Sequence, residues 1–495
     1  MKKFISAFLV FAIGAFSLLK SSDVRAQDNT GTEFWFTIFA EGFINHLPGV
    51  YVVGNYDATV TIDYVARDPA QDLAGDPLCT EYTFNLIGGV PQYIDIPYDL
   101  QALCWRYFDD YDAVETVQQN GIRVTSTAPI ALYSQFFTTS SSELTPILPV
   151  TEMGTDYLVT AHREITSDAN NFNARVSIVG IENNTTITIT LPPNCWTSLV
   201  EPVEALSRPP GSTWTITLNE GESYTFVSND NNLLETDTVP GATNAVTDNQ
   251  GLSGVTINAD KPISVMGGTD CTWIGNDEYP GCGACDLTTT HLKPLQSWGT
   301  RFLTTQTLVR PNQMSLVVGL SPTPNIEPFP ADFNNMSVAD YLLITAQTNN
   351  TQITIDGQAT YSKTLNAGEW FIYESPGNSN PATPPPTTSP GAAHHLVTAN
   401  NPIQVVQMMK GWQCDNNNPA DPTQMLVVEE GKWSDNYIVT NPTQYANNFF
   451  VFIIYEPNNN NDARNTLNLS SGGTNIPIPN GVSAAGDGTN GWTAI

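Results

Sequence analysis

Positive charge is scarce in this chain: 18 Lys+Arg stand against 49 Asp+Glu, a formal net charge of −31. That balance excludes free nucleic acid as a partner, because phosphate binding needs a basic footprint. An acidic surface fits solubility outside the cell and admits divalent cations such as calcium. Charge of either sign is also sparse, at 14% of residues. Surface helices are built from Glu, Lys, Arg and Ala, whereas the Asn, Thr, Gly and Pro abundant here are the residues of strands and turns.

Long apolar runs are lacking beyond the N-terminus. Lys2 and Lys3 precede one run, Phe4 to Leu19, and Val24-Arg25-Ala26 places small residues at the −3 and −1 positions. This reads as a signal peptide over residues 1–26, cleaved before Gln27. The run falls short of the roughly 20 residues that span a bilayer, so no transmembrane segment is expected in the mature chain.

Catalytic signatures are missing as well. The five histidines, His46, His162, His291, His394 and His395, form no His-Glu-x-x-His, and there is no Gly-x-Ser-x-Gly elbow. His394-His395 reads as an exposed loop pair, with no third metal ligand evident. With so many carboxylates, a glycosidase pair carries no signal. Asp109-Asp110-Tyr111-Asp112 and Asn276-Asp277-Glu278 are oxygen-rich, but neither has the Asp-x-Asp-x-Asp-Gly spacing of a calcium loop, so both read as solvated acidic turns. The expectation is therefore no catalytic residue, no cofactor and no metal, with calcium as the open alternative.

Cysteines are few and odd in number: Cys79, Cys104, Cys195, Cys271, Cys282, Cys285 and Cys414. Export permits disulfides, and an odd count leaves one thiol free or paired between chains. Cys271–Cys285 is the expected bridge, with Cys282 as rival partner, and Cys79–Cys104 is the second. Cys282-Gly283-Ala284-Cys285 also has zinc spacing, which Cys271 and His291 would complete.

What is abundant is internal repetition. Gly31-Thr32-Glu33-Phe34-Trp35-Phe36-Thr37 is restated as Gly154-Thr155-Asp156-Tyr157-Leu158-Val159-Thr160, as Gly299-Thr300-Arg301-Phe302-Leu303-Thr304-Thr305 and as Ser434-Asp435-Asn436-Tyr437-Ile438-Val439-Thr440. A turn and strand follow: Tyr56-Asp57-Ala58-Thr59-Val60-Thr61-Ile62, Asn183-Asn184-Thr185-Thr186-Ile187-Thr188-Ile189 and Asn349-Asn350-Thr351-Gln352-Ile353-Thr354-Ile355. Asn and Asp suit the turn, and Thr/Ile alternation suits a half-buried strand. Leu218-Asn219-Glu220-Gly221-Glu222 and Leu365-Asn366-Ala367-Gly368-Glu369 read as hairpin turns into aromatic strands. Pro129-Ile130, Pro262-Ile263 and Pro402-Ile403 each open a late strand, because proline is admitted at a strand's first residue. Trp298 and Trp433 recur at equivalent positions, which suggests packing rather than a sugar platform.

Each copy thus holds seven or eight short strands. The fold class is all-β: tandem antiparallel sandwich-like repeats, with a propeller-like arrangement as the alternative. The expected bounds are 27–152, 153–297, 298–432 and an incomplete fourth copy over 433–495. Phe34, Tyr157, Phe302 and Tyr437 are expected to be equivalent and buried. Ser375 to Pro390 reads as an exposed loop.

These motifs resemble the N-terminal domain of the IgG Fc-binding protein family, diffusely over residues 30 to 440. The best local match runs from Pro262-Ile263-Ser264-Val265 through Gly268, Cys271, Pro280, Cys285-Asp286, Leu292, Pro294 and Trp298-Gly299. The resemblance implies an extracellular recognition or adhesion role in a bacterial secreted or surface protein, with a protein or glycan ligand and no activity. A carbohydrate-active or carbohydrate-binding protein and a structural surface-layer or filament subunit are the alternatives.

Overall fold

The computed structural model describes residues 29–38, 47–63, 81–96, 115–137, 142–160, 165–167, 170–172, 174–193, 197–198, 208–228, 252–272, 274, 286–305, 340–374, 394–409, 422–434 and 437–439, together with five short strands beyond residue 452. These residues form strands and short 3-10 turns, with no α-helix among them. The all-β reading holds.

Sheet 1 contains β1 (Thr30–Phe36), β2 (Leu47–Gly54), β3 (Ala58–Asp63), β4 (Glu81–Leu86), β5 (Gln92–Asp95), β7 (Ile122–Phe137) and β8 (Ser142–Ile147). The intervening β6 (Val117–Gln118) joins sheet 2 instead. Sheet 2 is built on β9 (Gly154–Leu158), β12 (Ala174–Gly180), β13 (Thr185–Thr190), β15 (Thr213–Leu218), β16 (Ser223–Ser228), β17 (Thr256–Thr272) and β18 (Asp286–His291), with β14 (Thr197–Ser198) at its edge. The short β10 (Ile165–Ser167) and β11 (Asn170–Phe172) pair with each other. Sheet 3 contains β19 (Gly299–Thr305), β20 (Tyr341–Ala346), β21 (Thr351–Ile355), β22 (Gln358–Leu365), β23 (Trp370–Glu374), β24 (His394–Met409) and β25 (Thr423–Leu426). Beyond it lie β26 (Ile453–Glu456), β27 (Leu469–Ser471), β28 (Thr474–Ile476), β29 (Val482–Gly486) and β30 (Gly491–Ala494).

The three sheets share one strand order: β4-β3-β7-β2-β5, β15-β13-β17-β12-β16 and β22-β21-β24-β20-β23. In each, the long strand of 16, 17 or 16 residues belongs to two leaves. Its first half pairs with the opening strand and with β3, β13 or β21. Its second half pairs with β2, β12 or β20 and with β8, β18 or β25. The sheet therefore curls over on itself and encloses its own core.

The prolines mark the bend, which corrects the expectation that they open a strand. Relative to the opening strand, register jumps across Ser126–Pro129, Ala259–Pro262 and Ala399–Pro402, each stretch ending in proline inside the long strand. A bulge that leaves ladder donors unused is where a strand interior accepts proline. Two residues before each proline, a side-chain oxygen accepts the second amide of the neighbouring strand. Thr127 Oγ1 takes Thr59 N–H (2.9 Å), Asp260 Oδ1 takes Thr186 N–H (2.8 Å) and Asn400 Oδ1 takes Gln352 N–H (2.7 Å).

Three apolar cores result. Phe34, Tyr157 and Phe302 are buried, one in each, and pair with Val124, Ile257 and Val397 at the same register. Tyr437 departs from this pattern. Its hydroxyl accepts Ser434 N–H (2.8 Å) just as Tyr157 accepts Gly154 N–H (3.0 Å), yet it lies outside any strand and is 44% exposed. Its neighbour Ile438 docks on sheet 1 against Val53 and Ala131, and the Tyr133 hydroxyl donates to Ile438 O (3.0 Å).

Candidate binding surface

One hairpin turn recurs at the same end of every sheet, which we call the tip. Its sequences are Leu86-Ile87-Gly88-Gly89-Val90, Leu218-Asn219-Glu220-Gly221-Glu222 and Leu365-Asn366-Ala367-Gly368-Glu369. The glycine at the fourth position has φ of 78°, 77° and 79°, a left-handed conformation that only glycine adopts without strain. Beside it runs a second turn, in which Asn184 and Asn350 also take positive φ. One bond staples the two turns together. Asp57 Oδ1 accepts Gly88 N–H (2.8 Å), Asn183 Oδ1 accepts Glu220 N–H (3.2 Å) and Asn349 Oδ1 accepts Ala367 N–H (3.0 Å).

The tips differ in what they present. In sheets 2 and 3 the turn closes on itself, with the Glu222 and Glu369 carboxylates accepting Asn219 N–H and Asn366 N–H (both 2.7 Å). Sheet 1 carries Ile87 and Val90 at those positions, and its second turn is one residue shorter, so that Asp57 takes the place of Asn183 and Asn349, and Tyr56 that of Glu182 and Thr348. Tyr56 is 68% exposed, Ile87 64% and Val90 50%. A Cβ on Gly88 would meet Tyr56 Cα at 2.9 Å, so the two turns that carry these residues lie against each other.

The polar tips, by contrast, are docked. Gly121 N–H donates to Gly221 O (3.0 Å), and Glu220 lies 3.7 Å from Arg123. Val179 and Ile181 cover Trp35 of sheet 1. The sheet 3 tip repeats this on sheet 2: a Cβ on Gly254 would stand 3.0 Å from Gly368 O, and one on Gly368 3.9 Å from Leu158. Trp35, Leu158 and Leu303 are equivalent residues, and all three are buried.

The seam between sheets 1 and 2 is polar where it is deepest. His291 Nδ1 accepts Leu148 N–H (2.9 Å), which leaves its proton on Nε2, facing Ser264 Oγ (3.1 Å); Ser264 Oγ donates to Trp35 O (2.7 Å). Burial holds His291 neutral and pushes its pKa down to about 3. Both ring nitrogens are thus engaged within the protein, which removes His291 from the zinc set considered for Cys282 and Cys285. Lys293, also buried, is pushed down to about 7 by burial and by the neighbouring Lys432.

Other residues singled out in the sequence fall as follows. His394 and His395 open β24 rather than lying in an exposed loop. His395 is buried, because Asp356 at the preceding hairpin holds its Nδ1 (2.7 Å) and accepts Leu396 N–H (2.8 Å). Trp298 is buried and donates to Lys293 O (3.3 Å), and Trp433 donates to Val428 O (3.1 Å), so both serve packing in the 3-10 turns that end sheets 2 and 3. Cys271 lies on β17. Cys79, Cys104, Cys282, Cys285, both acidic loops, His46, His162 and the stretch from Ser375 to Pro390 lie outside the described residues. Among the described residues no His/Cys/Asp/Glu cluster is arranged for a metal, and no helix is long and apolar enough to cross a membrane. One signal for the tip is legible in the sequence: the Leu-Asn-x-Gly-Glu turn of copies 2 and 3 has an apolar counterpart in copy 1.

No curated protein and no solved structure matches the chain. The sequence model described as IgGFc binding protein matches residues 143–490, from β8 through sheets 2 and 3 to β29, and leaves the sheet 1 tip outside the matched span. With more than two thirds of the chain matched, and with the turns and proline bends of the second and third copies lying inside that span, the chain belongs to the IgGFc binding protein family.

Proposed function

We propose that this chain is an exported, non-catalytic recognition protein that contacts a protein surface through the sheet 1 tip, Tyr56, Ile87 and Val90. Membership of a binding-protein family supports the general role. The observation that carries the site is the exposed apolar tip on a fold that accepts Thr, Asn and Glu at the same three positions. Those side chains are not needed to fold the turn, and an apolar cluster exposed in water marks an interaction surface. The proposal includes signal removal before Gln27 and domains over 27–152, 153–297, 298–432 and 433–495. It also includes disulfides Cys271–Cys285 and Cys79–Cys104, and secretion from a bacterial cell.

The test is an array of proteins and glycans probed with the mature chain and with the Tyr56→Thr, Ile87→Asn, Val90→Glu variant, which places the sheet 3 residues at these three positions of sheet 1. The expected outcome is capture by protein spots that falls at least tenfold in the variant. Capture by glycan spots that the variant retains overturns the assignment and favours a carbohydrate-binding role.

A further inference from the structure

We infer that Asn184, in the second turn of the sheet 2 tip, is an acceptor for an N-linked glycan. This site is separate from the sheet 1 tip. The triplet Asn-x-Ser/Thr, with any residue but proline in the middle, is what an N-linked oligosaccharyltransferase accepts in an exported chain. It occurs here at Asn183, Asn184, Asn335, Asn349 and Asn468. Asn335 and Asn468 lie outside the described residues. A triplet by itself selects little in a chain this rich in Asn and Thr, so the fold decides among the other three.

Transfer needs two groups accessible together: the carboxamide that takes the sugar, and the hydroxyl two residues on by which the transferase holds the triplet. Two of the three sites withhold both. Asn183 Oδ1 accepts Glu220 N–H (3.2 Å) and Asn349 Oδ1 accepts Ala367 N–H (3.0 Å), so each carboxamide is tied into its tip. Their hydroxyl residues, Thr185 and Thr351, are both 0% exposed and donate to Glu182 O and Thr348 O (both 2.7 Å). Asn184 differs on each count. It is exposed, with a φ of 55° that asparagine tolerates better than most residues, and it is tied to the tip by its backbone N–H, which donates to Asn219 Oδ1 (3.2 Å). Thr186 is exposed and is likewise held by its backbone N–H, which donates to Asp260 Oδ1 (2.8 Å). Strand alternation is the cause, because β13 turns Thr185 to the core and Thr186 to solvent. Sheet 3 has Gln352 where Thr186 stands, so Asn350 forms no triplet. Glu182, two residues ahead of Asn184 and also exposed, places a carboxylate where bacterial-type transferases take one.

The co-substrate is a lipid-diphosphate-linked oligosaccharide. Its bond from sugar C1 to the phosphate oxygen breaks as the bond from C1 to Asn184 Nδ2 forms. The lipid diphosphate leaves with the electron pair, and the Nδ2 proton passes to a base of the transferase. The test is export of the full chain from cells that carry an N-linked transferase and its lipid-linked oligosaccharide, with an established acceptor protein in the same cells as the control for transfer. Peptide mapping by mass spectrometry reads occupancy site by site. The expected result is a glycan on Asn184 that is kept in Thr186→Ser and in Asn183→Asp, which retains the stapling oxygen as Asp57 does in sheet 1. Occupancy should fall about tenfold or more in Thr186→Ala and vanish in Asn184→Asp, with the parent's circular dichroism spectrum in every variant. A bare Asn184 beside a glycosylated control acceptor, or a glycan on Asn183 or Asn349 in place of Asn184, overturns the inference.

Discussion

His291 shows how a single side chain ties pH to the seam between sheets 1 and 2. Its folded pKa of about 3 lies below the ordinary imidazole value of 6.5. The unfolded chain therefore binds the proton first as pH falls, and stability is lost from about pH 6.5 downward, at about 1.4 kcal/mol per pH unit until the folded value is reached. Above pH 6.5 this residue contributes no slope. Lys293 acts in another window. Its pKa is lowered from 10.5 to about 7, so the neutral form suits the folded state and its contribution to stability rises as pH climbs from 7 to 10.5. The two effects separate by difference. His291→Gln keeps an acceptor and a donor but does not titrate, so urea midpoints for parent and variant should converge between pH 6.5 and 4. Midpoints that stay parallel across that range would remove His291 from the acid response.

At the scale of elements, glycine decides how closely one tip sits on the next sheet. A Cβ on Gly121 would stand 2.5 Å from Gly221 O, a backbone atom that cannot move alone. Gly121→Ala should cost about 2–3 kcal/mol by parting that contact. Gly89→Ala meets open space and only the strain of a left-handed alanine, about 1 kcal/mol. Chemical denaturation of the two variants checks the ordering, and equal losses would mean that Gly121 is not at a tight contact. Much of this architecture was legible in the sequence, because strand alternation and Asn/Gly turns are local chemistry. Phe34, Tyr157 and Phe302 were placed correctly for that reason. The prolines were misplaced because a strand end and a bulge both relieve the missing donor, and only pairing tells them apart. Tyr437 failed for a related cause: its motif matches, but residues 437–439 pair with no described strand, and a sequence motif alone does not supply the partner that buries an opening strand. His395 failed because Asp356, which buries and pairs it, approaches through a hairpin far away in sequence.

Across the whole molecule the sheets keep separate apolar cores yet are not independent bodies. The core of sheet 1 takes in Met266 and Leu287 from sheet 2. The strand β6, which leads into the long strand of sheet 1, is paired with β16 of sheet 2. Just before it, Glu115 N–H donates to Thr225 O (2.8 Å), and the Glu115 carboxylate holds Arg208 (2.7 Å), whose guanidinium lies 4.4 Å from the Trp214 ring. Sheet 2 cannot open along β16 without releasing the segment that anchors β7. Loss of a core aromatic in sheet 2 should therefore be felt in sheet 1. Phe226 is fully buried on β16, where Trp214 meets its ring edge-on at 5.7 Å, and Phe226→Ala should cost about 3–5 kcal/mol. Native-state hydrogen exchange is the measurement. The slowest amides of β7 and β16 should lose protection together and by similar amounts, as members of one cooperative unit. Protection lost only within sheet 2, with β7 unchanged, would mean that the seam transmits nothing and that sheet 1 unfolds on its own.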